Sequence, residues 1–281
     1  MTYEHISVRP ATGTFGATVS GIDMSQPLNE AALGEVRSAW LEYQVLFFRD
    51  QEMTPQQHED FAANFGELTK AGFMPTLEGT TGVFVQEYPG LYSRDVTDIT
   101  WHCDAAFLPI PSRGSVLYAL DVPEGAGDTV WANMYAAYED LSASMQSFLS
   151  GLTAVNDNAY RNLETLLERL GPEGFAQMRK MLPPSGHPVV RTHPETGRKS
   201  LFVSELMTSH IKDMKPEESR MLLDFLFRHS TQPEFQCRFA WEKNSVAFWD
   251  NRCTIHKGVF DFGDRHRLMH RVSIDDDRPP V

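Results

Sequence analysis

Trp101-His102-Cys103-Asp104 sets an imidazole and a carboxylate two residues apart, and the rest of the chain reads as scaffold for that pair. On an extended strand, residues i and i+2 face the same way, about 7 Å apart. Both side chains can then reach one metal ion. The context is extended: Thr97-Asp98-Ile99-Thr100 leads in and Ala105-Ala106-Phe107-Leu108 leads out. Two other His-x-acid triplets lack that context. His58-Glu59-Asp60 falls in a helical segment, where residues two apart diverge by about 200°. His193-Pro194-Glu195 runs into the turn before Arg198, where histidines satisfy backbone groups or cap the turn. Two ligands do not complete a site, and the candidate third is His256.

At 281 residues the chain can bury a substantial core, and no linker or composition break divides it, so it reads as one domain over 1–281. A net charge of −13 with no basic patch argues against nucleic acid and anionic membranes as partners. Cys103, Cys237 and Cys253 follow neither a disulfide nor a zinc spacing, which suits a reducing cytoplasm. The start, Met1-Thr2-Tyr3-Glu4-His5, does not read as a signal peptide, and no apolar run reaches membrane-spanning length. The expected location is cytoplasmic.

In chain order, residues 5–23 alternate and turn through glycines, as a hairpin would. Asn29 caps a helix bearing Ala32, Leu33, Val36 and Trp40, and Val45–Phe48 is a buried strand. Thr54-Pro55-Gln56-Gln57 is a capping box with proline at the first helical position. Residues 69–100 are polar and irregular, with Phe73, Met74, Tyr88 and Tyr92 exposed, and predict a lid. Strands follow at 115–120 and 128–131. Helical insertions cover 134–150 and 159–181, with Leu141, Met145 and Phe148 as core on the first and Leu163, Leu166, Leu167 and Leu170 on the second. After strands at 187–192 and 199–204 comes a helix at 216–229, and the remainder is extended. Many strands with inserted helices, and no β-α-β alternation, predict a mainly β barrel or sandwich (α+β) whose mouth suits a small site.

The last strand carries Leu268, His270, Val272 and Ile274 on one face and Arg267, Met269, Arg271 and Ser273 on the other. Arg267 and Arg271 are about 13 Å apart along the strand. They can serve two anions or opposite ends of one pocket, unless the strand simply faces solvent. Just before them, Phe248-Trp249-Asp250-Asn251-Arg252-Cys253-Thr254-Ile255-His256 delivers the candidate third ligand.

Taken together, Trp-His-x-Asp at 101–104, Gly-Asp-Thr at 127–129, Trp-Asp-Asn-Arg-x-x-x-His at 249–256, and Arg267 with Arg271 resemble the taurine/2-oxoglutarate dioxygenase family. That family includes aryloxyalkanoate dioxygenases and alkylsulfatases. The likeness runs from about Arg9 to Ile274 and includes Gln44–Gln51, Phe65–Leu68 and His187–Pro194. It implies a double-stranded β-helix (jelly roll) with His102, Asp104 and His256 as Fe(II) ligands, leaving positions open for 2-oxoglutarate and O2. Arg267 would pair with the far carboxylate of 2-oxoglutarate and Thr129 would hydrogen-bond it. Trp249 either walls that pocket or is a buried core indole. The implied reaction hydroxylates a C–H bond while 2-oxoglutarate is decarboxylated to succinate and CO2, with ascorbate as reductant in vitro. Desaturation, another oxidative rearrangement, or a silent metal-binding jelly roll are the alternatives.

Arg271 matches the position that holds an anionic head, so the expected substrate is a small carboxylate, sulfonate or sulfate ester. Taurine itself is not expected. Thr69–Met74 lacks the family's histidine and tyrosine for it, and Asp98 stands where taurine dioxygenase has asparagine. Phe73 is a candidate contact to a larger apolar body. Asp98 either meets a cationic group or caps a turn. Relatives in the family lead to the expectation of a homodimer or homotetramer.

Overall fold

The computed structural model describes residues 3–70, 76–89 and 100–281. Phe73, Met74, Tyr92 and Asp98 lie outside them. Strands β1 (Ser7–Pro10) and β2 (Ala17–Ser20) form the expected antiparallel hairpin. Helix α1 (Glu30–Tyr43) starts where the Asn29 side chain accepts the Ala32 N–H, and β3 (Val45–Phe48) follows. The Thr54–Gln57 capping box opens α2 (Pro55–Ala63) as its sequence requires. Strands β4 (Val83–Tyr88), β5 (Ser112–Asp121) and β6 (Thr129–Asn133) come next, then helices α3 (Met134–Glu139) and α4 (Ala143–Leu149). Between β7 (Thr153–Asn156) and β8 (Ser185–Pro188) runs α5 (Leu163–Met181). Short strands β9 (Val190–Thr192), β10 (Lys199–Leu201) and β11 (Thr208–Ile211) precede α6 (Pro216–Ser230). The chain ends in β12 (Gln236–Phe239), β13 (Val246–Asp250), β14 (Thr254–Gly258) and β15 (Arg267–Asp275).

Two sheets make the centre. The larger has strand order β1-β2-β3-β13-β5-β15-β4, and the smaller β12-β6-β14. Strand alternation decides what each face meets. Val45 and Phe47, Leu117 and Ala119, Ala247 and Trp249, and Met269 point between the sheets, where they meet Trp131, Cys237 and Phe239 of the smaller one. Their sequence neighbours Leu46, Phe48, Val116, Tyr118, Val246, Phe248, Val272 and Ile274 point outward onto α1 and α2. Trp40 stacks on Phe248 at 4.3 Å between ring centroids. On the smaller sheet, Val130, Ala132 and Ile255 face outward, under α3 and α6. The predicted mainly β class with inserted helices holds, and the layers run helix, sheet, sheet, helix.

Three local expectations are corrected. Residues 69–100 are not wholly irregular, because Val83–Tyr88 is the edge strand of the large sheet, paired with β15, and Tyr88 is buried. The run Val-Phe-Val-Gln-Glu-Tyr alternates too poorly to announce a strand. Residues after Asp104 turn instead of extending: Ala105 adopts φ 55°, and Leu108 N–H returns to its carbonyl. Finally, Phe148, Leu163, Leu167 and Leu170 are not core; they are 50, 45, 36 and 44 % exposed. Periodicity shows that a helix has an apolar face, not that anything covers it. Gly171, at φ 66°, also breaks α5 into two halves that need not follow one surface.

A buried ionic strut holds the turn after β13. Asp250 receives the Arg252 guanidinium on both oxygens, at 2.8 and 2.7 Å, and the His193 imidazole at 3.0 Å. Arg252 reaches on to Glu195 at 2.6 Å. His193, Asp250 and Cys253 cluster closely enough to suggest a metal site. Their bonding says otherwise. His193 Nδ1 accepts the backbone N–H groups of Glu195 and Thr196, so its proton sits on Nε2, facing Asp250. Burial also pushes the Cys253 thiol well up, which keeps it protonated. The histidine thus caps the turn, as anticipated.

Gly114 lies where β5 passes under Trp40. A Cβ there would come within 2.7 Å of the Trp40 ring and 2.8 Å of the Trp249 carbonyl oxygen. Gly114→Ala should therefore lower the unfolding free energy by about 1–3 kcal/mol, read as a fall in the urea midpoint at unchanged slope.

Candidate active site

His102 and His256 are brought together by backbone pairing. His102 N–H donates to the His256 carbonyl at 2.9 Å and His256 N–H returns the bond at 2.8 Å, which adds residue 102 beside β14 as an antiparallel bridge. Side chains of such a pair share a face, and the two rings lie 4.3 Å apart. His256 sits opposite Trp131, an inward-facing position, so both imidazoles point between the sheets. Asp104 joins them from the turn that follows. Its Oδ1 is 3.9 Å from Nε2 of each histidine. That is too long for a hydrogen bond and leaves two nitrogens and one oxygen around a common point. His102 alone is strand-paired, and a turn delivers Asp104, so the two do not share a strand face as the i, i+2 spacing predicts.

The donor set is electronically ready for a cation. His102 Nδ1 lies 2.8 Å from the Thr100 carbonyl, which fixes the proton there and leaves the Nε2 lone pair facing Asp104. Burial, then the neighbouring His102, pushes His256 down to about 3, so it is neutral near pH 7. Burial alone would raise the Asp104 carboxyl. The Arg271 guanidinium, the two imidazoles and the Ser115 hydroxyl outweigh it and hold the group well below the usual carboxylate range. Ser115 donates to Oδ2 at 2.8 Å, Asn251 Nδ2 approaches the same oxygen at 3.5 Å, and Arg271 Nη1 donates to Oδ1 at 2.9 Å. A buried, ionised carboxylate beside two imidazole nitrogens fits a divalent metal.

Both arginines of β15 face the gap between the sheets, alongside Met269, so the solvent-facing alternative is excluded. A cavity between the sheets, about 410 Å³ of empty space including its open mouth, is lined by His102, His256, Thr129, Trp249, Arg267 and Arg271. Gln86, Leu117, Gly258 and Phe260 complete its wall. Arg267 lies alongside Gly127, whose φ of 76° favours glycine. Thr129 Oγ1 accepts the Trp241 indole N–H at 2.9 Å. The hydroxyl's own proton is thereby left for another acceptor. Trp249 both walls the cavity and is core, with its indole N–H on Asn251 at 3.0 Å.

Of the residues singled out in the sequence, His102, Asp104, His256, Thr129, Trp249, Arg267 and Arg271 converge here, while Phe73 and Asp98 lie outside the described residues. Ser115, Asn251, Trp241 and Gln86 escaped sequence reasoning. Asn251 stood inside the Trp-Asp-Asn-Arg run, a signal that could have been used. Ser115 and Gln86 are ordinary strand residues until pairing shows what they face.

The profile of the taurine catabolism dioxygenase TauD, TfdA family matches residues 7–273. An alkylsulfatase of Acinetobacter baylyi is 33 % identical over 96 % of this chain and 85 % of its own. An alpha-ketoglutarate-dependent 2,4-dichlorophenoxyacetate dioxygenase of Cupriavidus pinatubonensis is 32 % identical over 96 % of this chain and 98 % of its own. Among solved structures, AAD-2 in complex with Mn(II) and N-oxalylglycine superposes with a TM-score of 0.83 at 31 % identity, covering 98 % of this chain and 99 % of that one. The chain belongs to the taurine catabolism dioxygenase TauD, TfdA family.

Proposed function

We propose that His102, Asp104 and His256 hold Fe(II), that Arg267 and Thr129 hold the far carboxylate of 2-oxoglutarate, and that the enzyme hydroxylates a small anionic substrate whose head group meets Arg271. The observation that carries this reading is the convergence of three metal-type donors and two arginines on one cavity between the sheets. We further read the two facing sheets as the halves of a jelly roll. The relatives named above, an alkylsulfatase and a 2,4-dichlorophenoxyacetate dioxygenase, act on an ester or acid of the same anionic kind.

Iron held at these residues would relay four electrons to O2, two from the oxidative decarboxylation of 2-oxoglutarate and two from the substrate C–H bond. The chain's own residues supply position and dryness. A guanidinium forks two N–H groups onto a carboxylate and keeps its charge, so Arg267 fixes one end of the dicarboxylate. Thr129, aligned by Trp241, donates to the same end. Trp249, Leu117 and Phe260 add apolar surface to the wall, which limits water at the reacting centre. Ser115 and Asn251 orient Asp104. Arg271 reaches Asp104 as well, so it has two duties: to steady a metal ligand and to meet the substrate anion.

Outcomes separate these roles. His102→Ala and Asp104→Ala should abolish metal binding and turnover while the far-ultraviolet circular dichroism stays native; near-normal turnover in either contradicts the ligand assignment. Arg267→Ala should raise the KM for 2-oxoglutarate and spare the main substrate. Arg271→Ala should raise the KM for the main substrate and spare 2-oxoglutarate. Ser115→Ala, which touches neither ligand pocket, should lower metal affinity about 10–100-fold, measured by Mn(II) titration, with the 2-oxoglutarate KM unchanged at saturating metal.

A further inference from the structure

Gln86 is a polar residue of the cavity wall to which the metal and cosubstrate assignments give no role. It lies on β4, the edge strand, directly opposite Met269 of β15. Its strand neighbours Phe84 and Tyr88 lie opposite Arg271 and Arg267. Cross-strand partners share a face, so Gln86 stands on the same inward face as both arginines, diagonal to each at about 7–8 Å between backbones. That is within reach of a long side chain. The residue is half-buried, lines the cavity, and its carboxamide forms no hydrogen bond with any described residue. Its amide is thereby available to donate to a bound ligand.

The chemistry of the missing partner can be narrowed. The two arginines already supply the positive charge for two anions, so a neutral amide adds a directional donor rather than charge. A carboxylate has two oxygens in one plane, and a single guanidinium fork can engage both. A sulfo head, whether of a sulfate ester or a sulfonate, has three terminal oxygens arranged around a tetrahedral sulfur. One fork takes two of them, and the third points out of the fork's plane. It needs a donor from another direction, and the next strand is where Gln86 stands.

We propose that Gln86 is a specificity-determining residue that donates an amide N–H to the third oxygen of a sulfo head group held by Arg271, so that the site favours sulfate esters or sulfonates over carboxylates. This rests on the assignment of Arg271 to the substrate anion, and the test keeps the two apart. KM and kcat are measured for an alkyl sulfate, an alkyl sulfonate and an alkyl carboxylate of equal chain length, together with 2-oxoglutarate, in the wild type, Gln86→Leu, Gln86→Met and Arg271→Ala. The expected result is a rise of about tenfold or more in the KM for sulfo substrates in both Gln86 variants, the loss typical of one hydrogen bond to a charged group. The carboxylate and 2-oxoglutarate KM values should stay within about twofold. The sulfate and sulfonate arms show which of the two sources is the better substrate.

A shift confined to 2-oxoglutarate would overturn the proposal and assign Gln86 to the cosubstrate. An equal shift for sulfo and carboxylate substrates, no shift at all, or a wild type that turns over no sulfo compound would also overturn it. If Arg271→Ala moves the substrate KM while the Gln86 variants do not, only the Gln86 assignment fails. If Arg271→Ala leaves the substrate KM unchanged, the anion subsite itself fails.

Discussion

A carboxylate cannot stay ionised inside a protein without compensation, and the centre of this molecule is arranged around compensating one. Asp104 is 7 % exposed and charged. Its neighbours come from separate parts of the chain: Ser115 from β5, Asn251 from the turn after β13, His256 from β14 and Arg271 from β15. Residue 102 is bridged to the smaller sheet through His256, whereas Ser115, Asn251 and Arg271 come from the larger one, so the full set needs both sheets face to face. The site is therefore a product of the completed fold, and two imidazole nitrogens and one carboxylate oxygen converge in it.

The same dependence runs outward. Asn251 and His256 sit on a turn and strand that begin at Asp250, whose carboxylate is locked by Arg252 and His193. Arg252 passes the constraint on to Glu195 in the turn between β9 and β10. Removing one partner of such a buried pair leaves an uncompensated charge, at a cost of about 3–5 kcal/mol. The strut stabilises the fold and, through Asn251 and Trp249, the aim of the metal-type donors. On the other side, Trp40 packs on Phe248 and fills the space above Gly114, so the helical layer sets where β13 and β5 lie. Structure and site are held by the same residues, a common consequence of building chemistry on the inner faces of strands.

Much of this was legible in the chain. Alternation in Arg267–Ile274 already separated the arginine face from the apolar face, and the hydrogen-bonded caps at Asn29 and Thr54 stood where the residues demanded. The pair at 102 and 104 and the histidine at 256 were identifiable by type and context. What escaped reflects information that a local pattern does not hold. Val83–Tyr88 becomes a strand because β15 offers it an edge, not because its own residues alternate. Asp104 reaches its place through a turn at Ala105 with a left-handed backbone that alanine does not advertise. Leu163, Leu167 and Leu170 have helical spacing yet remain exposed, because periodicity is silent about what lies opposite. Ser115 and Gln86 gain meaning only from their cross-strand neighbours.

The central claim is that His102, Asp104 and His256 hold a metal that in turn receives 2-oxoglutarate. Calorimetric titration of the protein with 2-oxoglutarate, under anaerobic conditions with and without Mn(II), tests it most directly. The account predicts saturable binding of one 2-oxoglutarate per chain that is strengthened by Mn(II), with the enhancement lost in Asp104→Ala. Binding of equal strength with and without the metal, or an enhancement that survives Asp104→Ala, would contradict it.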